Sequence, residues 1–290
     1  MPTPATRSPA PARLALGLLA ASVSGLGGCT WISYLGTDPT GSQFGRTYYL
    51  GGAGPFGHVG TIDVPTGLRE AGYTGSIEVF GWQSIVGGTL RDQMDRARNA
   101  KEARRLARRI QAYLRRYPNR RVNIIALSAG TGIATWALEA LPPRVHVNNL
   151  VFLASSLSRD YDLAPALRRI DGKVYNFYSP DDPILRLGVP IAGSIDRETR
   201  GPDLAGVLGF EVPRNATPGV ALLYREHLRN RPYRAEYREY GYKGLHADST
   251  SVNFVRYVLT PLIMRNPATP ELAEPAEPVS TPTGRADSPR

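Results

Sequence analysis

Two periodicities alternate along this chain. Short apolar runs bounded by turn residues read as strands, and longer stretches with apolar positions every three or four residues read as helices. Arg46 to Leu50 (RTYYL) is a first strand ending at a glycine-rich turn, and His58 to Ala71 has helical character that Pro65 interrupts or restarts. Ser76 to Trp82 (SIEVFGW) is a second strand, followed by a long arginine-rich helix between Arg91 and Arg121. Arg121 to Leu127 (RVNIIAL) is nearly all apolar, as a central strand covered on both faces must be. Ala129 to Leu141 then predicts a helix stopped by Pro142-Pro143, and Asn149 to Ala154 (NLVFLA) another buried strand. A short helix over Asp162 to Ile170, a strand over Lys173 to Tyr178 and a last strand over Glu236 to Tyr240 follow. Ser251 to Met264 closes the pattern as an amphipathic helix.

Strands and helices in alternation imply a mostly parallel sheet with helices on both faces. The 290 residues, 42% hydrophobic, supply one sizeable core, and the pattern places a single domain at residues 46–264. No internal repeat is visible. Within the domain, 186–234 is long for a connection and rich in glycine, proline and charge, which makes it a candidate insertion or lid. Residues 265–290 form a proline-rich tail, with six prolines from Asn266 onward, whose composition cannot build a core.

Residues 1–28 stand apart. Arg7 and Arg13 precede a short apolar run from Leu14 to Leu26, the pattern of an export signal. The single cysteine, Cys29, follows at once in Leu26-Gly27-Gly28-Cys29. This resembles the bacterial lipoprotein box, which implies cleavage before Cys29, acylation of that residue, a linker over 29–45 and an exported protein held on an envelope membrane by its lipid. One cysteine also excludes an internal disulfide and a zinc site built on paired cysteines.

Without residues 1–28, which hold two arginines and no acids, the 35 basic residues become 33 against 25 acidic, a net charge of +8. Much of the excess lies between Arg91 and Arg121, where Met94, Ala97, Leu106, Ile110, Leu114 and Tyr117 keep a helical spacing. The stretch reads as a solvated helix face or as a surface for anionic lipid or envelope polymers. An exported chain without basic–aromatic interleaving or a recognition motif is not expected to bind nucleic acid.

The chemistry concentrates where the central strand meets its helix, in Ala126-Leu127-Ser128-Ala129-Gly130. A serine in this setting resembles the nucleophile elbow of α/β-hydrolases, with Ala126 in place of the usual first glycine. The turn needs small residues two places either side of the serine, which Ala126 and Gly130 supply. The resemblance implies the α/β-hydrolase fold, no metal or organic cofactor, and an acid and a histidine following the serine in that order. Ser179-Pro180-Asp181-Asp182 follows a strand, and Asp182, with Ile184 two places on, fits the family's acid. Asp181 remains its rival, and Asp160 and Asp162 are remoter. Of four histidines, His246 lies in the loop before the last helix, where the family keeps its general base. The oxyanion donors are then expected at Ala129 and in the turn after the first strand, at Gly52 and Ala53. Together these imply an exported serine hydrolase of carboxylesterase or lipase-like type, acting on a small-molecule or lipid ester.

Two other readings stay open. Gly52-x-Gly54-x-x-Gly57 spells a dinucleotide-binding fingerprint, with Glu78 further on, although Pro55 removes an amide from the turn. A hydrolase fold can also serve as a non-catalytic surface binding protein.

Overall fold

A computed structural model describes residues 35–84, 88–199 and 203–265. The signal segment 1–28, Cys29 with the first part of the linker, and residues 266–290 of the tail lie outside the described residues.

Six parallel strands form one sheet: β1 (Arg46–Leu50), β2 (Ser76–Val79), β3 (Val122–Leu127), β4 (Asn149–Leu153), β5 (Val174–Tyr178) and β6 (Leu228–Pro232). Their order across the sheet is β2-β1-β3-β4-β5-β6, so β3 lies inside it with β1 and β4 as neighbours. Alternate side chains of β1, β3 and β4 enter two separate cores. Tyr48, Leu50, Ile124, Ala126 and Phe152 face one, while Tyr49, Ile125, Leu127, Val151 and Leu153 face the other. That two-sided burial is why β3 and β4 carry no polar alternation.

On the first face pack α3 (Arg96–Arg116) and α4 (Gly130–Glu139), through Leu106, Ile110, Ile133 and Leu138. On the second pack α1 (Asp63–Glu70), through Val64 and Leu68, and a C-terminal helix, through Phe254, Val255 and Leu259. That last helix runs through a π-helical stretch, Val255–Leu259. Pro261 has no amide to donate, and the Thr260 hydroxyl donates to the Val255 carbonyl at 2.8 Å.

Four expectations change. The basic stretch is two helices, α2 (Gly88–Met94) and α3, because the Asp95 side chain caps the Arg98 amide at 3.0 Å and starts a new helix. Met94 and Ala97 are consequently exposed, and Asn99, Ala103 and Ala107 are buried instead. The helix before β2 begins at Asp63, with Pro65 in its first turn, where a missing amide costs nothing. Glu236 to Tyr240 is not a strand: Ala235–Tyr240 is a 3-10 helix, and the sheet's last strand is the polar LRNRP of β6. As an edge strand β6 pairs only with β5, so it carries arginines that no apolar pattern would flag.

The stretch 186–234 accordingly contains most of α5 (Pro183–Ala192), α6 (Ala205–Leu208), α7 (Pro218–His227) and β6. Helix α6 is held tightly against the sheet. The Gly206 amide donates to the Ser155 carbonyl at 2.9 Å, and its own carbonyl accepts the Ser179 amide at 3.0 Å. A Cβ on Gly206 would lie 2.5 Å from both the amide nitrogen and the carbonyl oxygen of Ser155. Gly206→Ala is therefore expected to destabilise the fold by about 1–3 kcal/mol, read as a lower urea midpoint. An unchanged midpoint would show that this approach is not needed.

The arginines of α3 are employed unequally. Arg98, Arg105 and Arg109 reach Asp92, Glu102 and Glu78, while Lys101, Arg104 and Arg108 are exposed. Arg105 also lies over the Phe80 ring at 4.0 Å. A cavity of about 240 Å³ opens here at the β2 edge, between Arg46, Glu78, Arg105 and Arg109, and shares no lining residue with the site described next.

Candidate active site

Ser128 stands between the end of β3 and the start of α4, with φ of 53°, the left-handed region that costs a non-glycine residue about 1–2 kcal/mol. Bonds on both sides hold it there. Its amide donates to the Leu153 carbonyl of β4 at 2.9 Å, and its carbonyl accepts the Thr131 amide at 3.0 Å and hydroxyl at 2.6 Å. The small neighbours have visible reasons. Ala126 sits in register between Leu50 and Phe152, and a Cβ on Gly130 would come within 2.6 Å of the Gly51 carbonyl oxygen. The N-terminal end of α4 follows directly, with its positive end toward the serine.

The segment after β5 places Asp182 at the start of α5, fully buried. Its Oδ1 accepts the amides of Ile184 at 3.0 Å and Leu185 at 3.1 Å, leaving Oδ2 for another donor. That donor is His246, whose Nδ1 lies 2.8 Å away. Both side chains are buried, at 1% and 3% exposure, so this contact is shielded from water and ions. Asp181 is exposed, with its amide on the Ser179 hydroxyl. Asp160 is exposed, and Asp162 caps Ala164.

The other histidines have other surroundings. His58 is exposed, His146 pairs with Asp171 at 2.9 Å, and His227 bonds the Gly172 carbonyl at 2.8 Å. An aromatic group backs the His246 loop, with Tyr242 packed on Phe254 at 4.9 Å and on Tyr233 at 5.3 Å. Burial, and then the charge of Asp182, push the Tyr242 hydroxyl well above the ordinary phenol range, so it stays neutral beside the carboxylate.

With Nδ1 donating to Asp182, the other ring nitrogen of His246 is left as an acceptor. Nε2 is buried and makes no hydrogen bond. Phe56 stands edge-on to the imidazole, with centroids 5.0 Å apart. A Cβ placed on Gly52 would lie 2.9 Å from the Phe56 Cβ and 3.1 Å from the Ser128 Cβ. Gly52 thus lies against both Ser128 and Phe56, and the Phe56 ring in turn contacts His246.

That turn is braced by residues the sequence reading did not single out. The Gly51 carbonyl accepts the Trp82 indole at 2.8 Å, and the Gly52 carbonyl accepts the Gln83 amide group at 2.9 Å. The Gly54 amide donates to Asp92 at 3.0 Å. Trp82 and Gln83 lie just past the C-terminal end of β2, the side on which parallel sheets gather their sites, and that position was the available signal. The Gly52 amide donates to the Phe56 carbonyl at 3.0 Å and is not free to bind an oxyanion, which corrects the expectation for Gly52. The amides of Ala53 and Ala129 meet no acceptor among the described residues. A dinucleotide would need this turn to open a full helix, and instead it opens the four-residue 3-10 turn Gly54–Gly57 with the Gly52 and Gly54 amides already engaged.

No known family profile matches the sequence, and no curated protein does. Among solved structures, the chain is similar to lipase B of Aspergillus fumigatus, at 11% identity and a TM-score of 0.44 over 77% of this chain and 53% of that one. It is also similar to a carboxylesterase of Mesorhizobium loti, at 15% identity and a TM-score of 0.41 over 74% and 88%. A third is a Trichoderma reesei cutinase in complex with a phosphonate inhibitor, at 15% identity and a TM-score of 0.38 over 81% and 88%. The chain spans about half the length of the Aspergillus lipase, 53%. An all-parallel sheet, helices on both faces and a strand–serine–helix elbow give this chain an α/β-hydrolase fold. Any chemical reading rests on the site geometry.

Proposed function

We propose that the protein is a serine hydrolase that cleaves carboxylic esters through an acyl-enzyme. The observation that carries this reading is the buried Asp182–His246 pair at 2.8 Å, which supports a general base for the strained Ser128 at the strand–helix turn.

In this mechanism Nε2 takes the proton of Ser128 as its Oγ attacks the carbonyl carbon, and Asp182 stabilises the resulting imidazolium. Charge on the tetrahedral oxygen is met by the amides of Ala129 and Ala53 and by the positive end of α4. The imidazolium returns the proton to the leaving alcohol, whose C–O bond breaks to leave the acyl group on Ser128. Water, deprotonated by the same histidine, then releases the acid. Exposed apolar residues close in the chain to the pair, Ile184 and Leu245, favour an ester with an apolar acyl or alcohol part. The test is hydrolysis of p-nitrophenyl esters by the wild type beside Ser128→Ala. Turnover that survives the substitution would end the reading.

The same proposal places the protein on an envelope membrane, outside the cytoplasm, through an acyl group on Cys29. The support is sequence alone: an apolar segment leads directly to the one cysteine. Among the described residues no helix is long and apolar enough to cross a membrane. Cells fed an alkyne-tagged fatty acid are expected to label the protein, and Cys29→Ser to lose the label. An unlabelled wild type would refute the anchor and leave the hydrolase reading untouched.

A further inference from the structure

We propose that Gln83 is a positioning residue that aims and polarises the oxyanion-binding amide of Ala53, an inference that rests on the serine-hydrolase reading. The carbonyl of Gly52 and the amide of Ala53 belong to the same planar unit, and the chain contains no cis peptide among the described residues. In a trans peptide the C=O and the N–H point in opposite directions. Whatever holds the Gly52 oxygen therefore sets the direction of the Ala53 hydrogen. Gln83 holds it, donating from Nε2 at 2.9 Å.

Gln83 is itself fixed. Its Oε1 accepts the Trp82 amide at 3.1 Å, which orients the side-chain amide with the nitrogen toward Gly52. Its stem lies against Gly57 so closely that a Cβ there would sit 2.7 Å from the Gln83 Cγ. The peptides on either side are also tied. Trp82 holds the Gly51 carbonyl at 2.8 Å, and the fully buried Asp92 holds the Gly54 amide at 3.0 Å. Between them the Ala53 amide donates to no acceptor among the described residues, while Ser128 adjoins Gly52. The Ala53 amide thus points away from Gln83, in the peptide that follows the glycine lying against Ser128. Donation to the Gly52 oxygen also polarises the peptide, making the Ala53 hydrogen a stronger donor when negative charge develops on the substrate. Because that charge exists only in the transition state, loss of Gln83 should lower kcat and leave KM nearly unchanged.

The experiment compares the wild type with Gln83→Glu and Gln83→Met. Glutamate keeps the shape and sets a carboxylate against the Gly52 carbonyl, while methionine keeps the stem packed on Gly57 and removes the donor. For each protein kcat and KM are measured on p-nitrophenyl butyrate, inhibition by phenylboronic acid is titrated as a tetrahedral mimic, and the urea midpoint is recorded. Both variants are expected to lose about 10- to 100-fold in kcat with KM within about twofold. Boronate affinity should fall by the same factor in both. Unchanged kcat and boronate affinity in either folded variant would overturn the proposal while the wild-type activity keeps the hydrolase reading. A loss confined to KM, or one that tracks a lowered urea midpoint, would show a structural role only and overturn it as well. A wild type with neither turnover nor a Ser128 adduct would defeat the hydrolase reading and this proposal with it.

Discussion

Ser128→Ala is expected to lower kcat on an activated ester by on the order of 10⁵–10⁶-fold, about 7–8 kcal/mol of barrier, with no loss of the folded state. The asymmetry follows from what the residue touches. Its backbone makes the structural bonds, to Leu153 and Thr131, and alanine keeps all of them. The left-handed φ of 53° strains alanine as it strains serine, so the elbow gains and loses nothing. Only the hydroxyl disappears, and with it the bond-forming atom. The residual rate should be that of the oxyanion amides and substrate binding alone. Kinetics and the urea midpoint, measured on the same preparations, check both halves. A variant that is inactive because it is unfolded would not match the expectation, and neither would one that keeps a tenth of its activity.

Asp182→Asn should lower kcat by about 10⁴-fold through the tautomer of His246. Two backbone amides, those of Ile184 and Leu185, point at Oδ1 from 3.0 and 3.1 Å. An asparagine must turn its oxygen to them, which presents its NH₂ group to Nδ1 of the histidine. Nδ1 then becomes an acceptor, the ring proton moves to Nε2, and the atom meant to take the serine proton can no longer do so. Packing is nearly unchanged because the substitution keeps size and shape. Asp181→Asn, one residue away and exposed, should leave kcat within about twofold. A large loss from Asp181→Asn with little from Asp182→Asn would reverse the assignment.

The uneven legibility of these features has physical causes. Strands β3 and β4 were readable because both their faces are buried and the apolar run is unbroken. Strand β6 was not, since an edge strand that carries a half-buried Arg229 and a buried Arg231 obeys no such pattern. The tyrosines of Glu236 to Tyr240 imitated a strand's alternation. Tyr237 packs the 3-10 turn on Phe177 and Phe254, 6.2 and 5.2 Å from those rings, and Tyr240 lies 5.5 Å from Tyr257. Ser128, His246 and the acid segment could be named as candidates because the elbow, the order of residues and the small number of histidines are one-dimensional facts. The choice between Asp181 and Asp182 turns on which carboxylate the loop carries inward, and adjacent residues look alike in a sequence. Trp82, Gln83 and Asp92 had no periodic signature either. They act by side-chain bonds to a backbone 31 to 38 residues earlier in the chain, a contact that exists only once β1 and β2 lie side by side.

The most direct test is to treat the purified protein with a fluorophosphonate and map the adduct by mass spectrometry. A stoichiometric adduct on Ser128 alone, absent from Ser128→Ala and strongly slowed in Asp182→Asn, is the predicted result. A folded wild type that takes up no reagent, or takes it up at another serine, would contradict the account and favour a surface binding protein that keeps the fold without the chemistry.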